Sequence, residues 1–215
     1  MVAHSPPIPT ILSLLATAYP QYETALIHEN RFQLLVSVVL SAQTTDRQVN
    51  RVTPTLFGLY PDAIALAGAR QKDVEDLIRS TGYFRQKSVA IRGLARRLVS
   101  DFGGEVPRRM EDLILLPGVG RKTANVVLGE EGIVSGVVVD THIGRVSRRL
   151  LLSQSKNPII VEKDLMALLP KDAWIPYGGR AIQLGRGPCD AKKPDCGSCP
   201  LSTLCPSQGK AKGIK

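Results

Sequence analysis

At 215 residues and 43% hydrophobic, the chain is long enough to bury a sizeable core, as one large domain or two small interlocked ones. No run reaches the ~18 apolar residues of a membrane span, and the short, proline-flanked stretch Ile11 to Tyr19 lacks the basic leader of an export signal, so a cytoplasmic protein with no membrane segment is expected. The net charge of +9 is lopsided, with 6 Lys/Arg against 7 Asp/Glu up to residue 84 and 22 against 12 from residue 85 onward; such a field suits a polyanion, a solvated basic surface being the plain alternative.

Apolar residues recur at helical spacing from Ile11, Leu14, Leu15 and Ala18 onward, and the run Phe32 to Leu40 is apolar nearly all round, which predicts a central helix. After it, Gln43 reads as an exposed loop residue ahead of a helix capped by Thr45 or Asp46. Tyr83 lies in the loop 81–87, its ring either turned outward to stack or packed into the core. Val89, Leu94 and Leu98 resume the helical pattern. Breaks at Pro20, Pro61, Gly82, Gly103-Gly104, Pro117, Gly136, Pro158 and Pro170 divide the chain into roughly ten helices, an all-α fold.

Glu111 to Leu116 and Arg121 to Leu128 read as helices joined by the tight turn Pro117-Gly118-Val119-Gly120, a helix–hairpin–helix. Gly118 and Gly120 admit positive φ and place no side chain between backbone N–H groups and an approaching phosphate, which the following helix N-terminus and Arg121 also favour. A turn packed only for structure would look similar. Lys122 falls in the first turn of the second helix, where the dipole already presents positive charge; partial burial there would further favour the neutral amine that a nucleophile needs. By itself it reads as a phosphate clamp in preference to a nucleophile.

The Val-rich run Val134 to Val139 has no partner strand and is expected to be an extended crossing. Asp140 ends it and starts a helix as an N-cap, with His142 a structural hydrogen-bonding residue. Arg145, Arg148 and Arg149, on the helix carrying Ile143, Val146 and Leu150, read as contacts to a polyanion or as a wet face. All four cysteines, Cys189, Cys196, Cys199 and Cys205, lie within 17 residues. Disulfides are unexpected in an unexported chain, and the single Cys-x2-Cys pair fits an iron–sulfur centre better than a zinc ribbon, which usually offers two such pairs. Residues 209–215 are expected to form a basic tail.

With the segment Leu116-Pro117-Gly118-Val119-Gly120-Arg121-Lys122-Thr123-Ala124 and the Cys-x6-Cys-x2-Cys-x5-Cys spacing in hand, the chain resembles the endonuclease III family of DNA glycosylases over nearly its whole length. That resemblance implies two all-α lobes with a DNA-binding cleft between them: an inserted six-helix bundle over residues 24–134, and a lobe from residues 1–23 and 135–215 with a [4Fe–4S] cluster loop at 189–205. It implies a bifunctional N-glycosylase and AP lyase acting on oxidised pyrimidines in duplex DNA, as a monomer. Lys122 would attack the sugar and form an imine, and Asp140 would stabilise the positive charge developing on it. Gln43 would fill the space left by the extruded nucleotide and Tyr83 would wedge beside the orphaned base. Lys192 and Lys193 would meet phosphate unless they are an ordinary solvated pair.

Departures from the family pattern stand at Gly144, suggesting a roomier cleft, and at Leu184, where many relatives have histidine. The rival readings are a monofunctional mismatch or adenine glycosylase, whose members generally lack the lysine, a binding-only DNA module, and a zinc-ribbon regulator.

Overall fold

A computed structural model describes residues 7–22 and 24–209, so the C-terminal tail from residue 210 lies outside the described residues. Eleven α-helices and three short 3-10 turns account for the regular structure, and no strand occurs among the described residues. The expected sequence breaks fall at helix boundaries, except that Pro158 opens a helix: its fixed φ and missing N–H suit the first helical position.

Residues Thr24–Ile133 form one compact unit. Its centre is α2 (Arg31–Leu40), buried from Phe32 through Leu40 and started by the Asn30 side chain, which accepts from Gln33 N at 2.9 Å. Around it lie α3 (Asp46–Leu59), α4 (Ala63–Gly68), α5 (Gln71–Ile78), the long α6 (Phe84–Phe102), the single turn α7 (Met110–Leu113) and α8 (Arg121–Glu130). Val74, Ile78, Ile91, Leu94 and Leu98 complete one apolar core with α2. An ion pair from Arg31 to Glu131, with Arg31 Nη1 donating to Val106 O at 2.9 Å, pins the start of α2 beside the end of α8.

The second unit takes the described residues on either side of the first in sequence. Here α1 (Ile8–Ala18) packs its Ile11 and Leu15 with Ile143 and Val146 of α9 (Thr141–Arg149), Val161 and Leu165 of α10 (Pro158–Leu168), and Tyr177, Ala181 and Leu184 of α11 (Trp174–Arg186). Gly185 lets α11 approach α9, since a Cβ there would meet His142 Cβ at 2.8 Å. The segment Val134 to Val139 contains no strand, as its lack of a partner suggested.

Candidate functional site

The hairpin is tighter than its sequence suggests. Its first helix stops at Leu113 instead of running to Leu116, because Pro117 disfavours helical backbone at the residue before it. The chain then turns through i→i−3 bonds, Leu115 N to Asp112 O at 3.2 Å, Leu116 N to Leu113 O at 3.1 Å and Val119 N to Leu116 O at 3.1 Å. Only one of the two glycines needs its freedom. Gly118 has φ +77°, and a Cβ there would sit 3.0 Å from Ala90 Cβ and 3.3 Å from Val39 Cγ1. Gly120, with φ −98°, is in a conformation open to any residue and has nothing within 4 Å of a would-be Cβ. Neither backbone strain nor packing demands glycine at 120, so what its small size leaves is a clear approach from solvent to the start of α8, where no side chain caps the N–H groups. Arg121 and Lys122 occupy the first turn of α8, and both are exposed. Lys122 is therefore more accessible than the partial burial expected, and the helix terminus is the part of that expectation that stands.

Asp140 is the N-cap of α9: its Oδ1 accepts from His142 N at 2.8 Å and Ile143 N at 2.9 Å, which fixes the half-buried carboxylate. Lys122 lies in the unit Thr24–Ile133 and Asp140 in the other. The arginines of α9 are not a wet face. Arg145 donates through Nε to Cys189 O at 3.0 Å and through Nη2 to Gly185 O at 2.6 Å, and its Nη2 lies 3.2 Å from His142 Nδ1. Arg148 stands beside Gly144, whose added Cβ would lie 3.3 Å from Arg148 Nη1. Leu184 is core.

Cys189, Cys196, Cys199 and Cys205 line one pocket with Arg149, Pro188, Pro194, Ser202 and Ser207. Among the described residues no three of His, Cys, Asp and Glu gather tightly enough to hold one metal ion. A single tetrahedral zinc, with Zn–S near ~2.3 Å, needs its sulfurs within about 4 Å of one another. Thiols ringing a cavity fit a multi-iron cluster better. Arg149 supports a negatively charged occupant. It is 2% exposed and donates through Nη1 to Cys189 Sγ at 3.2 Å, Cys189 O at 3.1 Å and Asp190 O at 2.8 Å, while its Nε is buried without a partner. Among the described residues no carboxylate pairs with it, and a buried cation needs compensation. Burial pushes the Cys199 and Cys205 thiols above their ordinary range, which favours the protonated thiol over the thiolate. The exposed Lys192 and Lys193 direct their backbone N–H groups to Asp190 Oδ1, each at 2.8 Å, and these bonds hold Asp190 below the usual carboxylate range.

Gln43 and Tyr83 share a feature invisible in their identities: both have left-handed backbones, φ 53° and 47°, at about 1–2 kcal/mol per non-glycine residue. Both are exposed, Tyr83 at 61%, which settles the choice between core and surface for its ring. Thr45, not Asp46, caps α3.

Residues 36–171 match the model of the HhH-GPD superfamily base excision DNA repair proteins. The chain is 51% identical to endonuclease III of Synechocystis over 92% of its own length and 90% of the relative's, and 43% identical to endonuclease III of Bacillus subtilis over 90% and 89%. Among solved structures, a trapped endonuclease III–DNA covalent intermediate superposes with a TM-score of 0.89 at 42% identity, covering 94% of this chain and 96% of that one. A thermostable thymine-DNA glycosylase, 22% identical, shares the fold with a TM-score of 0.84 over 94% and 96%. The hairpin and the surrounding helices are thus those of a known lineage, and the chain belongs to the endonuclease III family of base excision DNA repair proteins.

Proposed function

We propose that the protein is a bifunctional DNA N-glycosylase and AP lyase that removes oxidised pyrimidines from duplex DNA, with Lys122 as nucleophile and Asp140 as its electrostatic partner. The observation that carries the reading is an exposed amine on the first turn of α8, directly behind the open N-terminus at Gly120. The hairpin N–H groups and Arg121 hold the DNA backbone without reading sequence, while Lys192 and Lys193 add charge along it. Gln43 and Tyr83 occupy the gap left by the extruded nucleotide.

The Lys122 Nζ lone pair attacks C1′ and the base departs with the electrons of the glycosidic bond. The Asp140 carboxylate, locked by two backbone N–H donors, stabilises positive charge developing on the sugar. Opening of the ring at the C1′–O4′ bond leaves a protonated imine between Nζ and C1′. Loss of a C2′ proton then forms the C2′=C3′ bond and expels the 3′ phosphate, which cuts the strand. That a 42% identical endonuclease III has been captured as a covalent intermediate with DNA supports this course.

Cys189, Cys196, Cys199 and Cys205 would hold a [4Fe–4S] cluster, which when bound crosslinks the loop and supplies redox capacity outside the excision chemistry. The reading extends to a monomer working on the nucleoid in the cytoplasm. Among the described residues no helix is long and apolar enough to cross a membrane.

Borohydride reduction tests the assignment. Wild type with abasic duplex becomes permanently crosslinked, and Lys122→Gln does not; an uncrosslinked wild type, or a Gln variant that traps equally, removes Lys122 from the reaction.

A further inference from the structure

Lys87 is buried on α6, only 6% exposed, in a part of the molecule the proposed chemistry does not use. Its Nζ donates to Thr44 Oγ1 at 2.7 Å and to Thr81 O at 2.8 Å, and the Thr44 hydroxyl itself donates to Thr81 O, closing a triangle of three hydrogen bonds. Two loops meet at that triangle, one following α2 and one preceding α6, 37 residues apart in sequence. Nearby, Gln48 Nε2 on the first turn of α3 donates to Ser80 Oγ at 2.7 Å.

Three non-glycine residues among the described ones have positive φ, and two of them flank this triangle: Gln43 precedes Thr44, and Tyr83 follows Thr81 by two. Left-handed backbone at such residues persists only where the surroundings enforce it. Lys87 meets no carboxylate among the described residues, and burial lowers its pKa, so a cation has been placed here against its own solvation. Holding a hydroxyl of one loop and a carbonyl of the other is a task that its fan of donors performs, whereas an apolar residue of equal length would leave the triangle with only the Thr44 hydroxyl's bond to Thr81 O.

We propose that Lys87 is a positioning residue that ties the Gln43 loop to the Tyr83 loop, so that the two exposed side chains engage an abasic gap in DNA as one rigid pair. The inference rests on the reading of Gln43 and Tyr83 as DNA-filling residues, and a double-mutant cycle separates the two ideas. Affinity of the full-length holoprotein for duplex carrying a stable abasic-site analogue is measured for Gln43→Ala, Tyr83→Ala and the double variant, in wild-type, Lys87→Met and Thr44→Val backgrounds. Thr44→Val removes both bonds of the Thr44 hydroxyl while Lys87 Nζ keeps its bond to Thr81 O, and it carries the test if Lys87→Met does not fold.

Each single alanine is expected to weaken binding by about tenfold. In the wild-type background the double variant falls short of the product of the two losses by about fivefold, and in either opened background the losses multiply. If the single losses appear but the fivefold coupling is absent, or persists after the triangle is opened, the tether is refuted while the filling role stands. If neither alanine weakens binding, the filling role fails and the tether with it.

Discussion

Asp140 is assigned two tasks, and substitution separates them. Its Oδ1 satisfies two N–H groups of α9, a helix of only nine residues that buries Ile143 and Val146, so the cap supports a packed element that is too short to be stable alone. Asp140→Ala removes both bonds and should cost about 1–2 kcal/mol, a fall in Tm of about 3–6 °C for a chain of this size. Asp140→Asn keeps an acceptor oxygen in place and ranks with aspartate as a cap, so its loss is confined to the charge–dipole part, about 0.5 kcal/mol. In base release both variants lose the fixed negative charge, and single-turnover excision should fall by about 100- to 1,000-fold in each. The assay pairs thermal unfolding with single-turnover kinetics on duplex containing an oxidised pyrimidine. Full excision activity in Asp140→Asn would reduce Asp140 to a cap, and an unchanged Tm in Asp140→Ala would show that the cap carries no stability.

The two hairpin glycines should part company: Gly118→Ala forces a Cβ against Ala90 at φ +77° and costs about 1–3 kcal/mol in denaturant unfolding. Gly120→Ala shifts stability by less than about 0.5 kcal/mol yet weakens duplex binding, and unaltered binding would remove its N–H groups from the DNA contact. Arg149→Met should release iron and bleach the visible iron–sulfur absorption, since stripping one partner from a buried charge pair costs about 3–5 kcal/mol; full iron content after chelator challenge would show the cation to be dispensable. Tyr177 is fully buried, its hydroxyl beside Ser147 at 3.2 Å, and burial pushes its pKa from 10.0 up to about 12. With the folded value raised, its contribution is intact below pH 10 and disappears as pH climbs through about 12, a fall of about 3 kcal/mol that Tyr177→Phe should lack. Equal pH slopes in the two proteins would contradict that burial argument.

What could be read from the chain alone follows from the range of the forces involved. The helix at Phe32 to Leu40, the cap at Asp140 and the cysteine loop are local patterns: a continuous apolar run, an acceptor two or three residues before free N–H groups, and thiols at short fixed spacing. Arg145 and Arg149 escaped because their partners, Gly185 O, Cys189 O and Asp190 O, lie about 40 residues downstream, and a basic helix stripe looks solvated until those carbonyls arrive. Lys87 was missed because one of its two acceptors, the Thr44 hydroxyl, lies 43 residues upstream. The left-handed backbones at Gln43 and Tyr83 carry no compositional mark, since neither is glycine or asparagine. Gly120 misled in the opposite sense, because a glycine kept for access looks the same as one kept for conformation.

The bracketing of one unit by the other sets an order of events during translation. Helix α1 leaves the ribosome ahead of the unit Thr24–Ile133, but its fully buried Ile11 and Leu15 rest against α9 and α11, and Arg180 Nε reaches back to Tyr19 O at 3.1 Å. Residues 24–133 gather their apolar core from within their own segment, whereas α1 waits for the α11 side of its core until more than 150 further residues have been made. A chain terminated ahead of Trp174 would therefore hold α9 and α10 but lack the α11 side of the core that covers Ile11 and Leu15, leaving apolar surface of the kind that proteolytic quality control recognises.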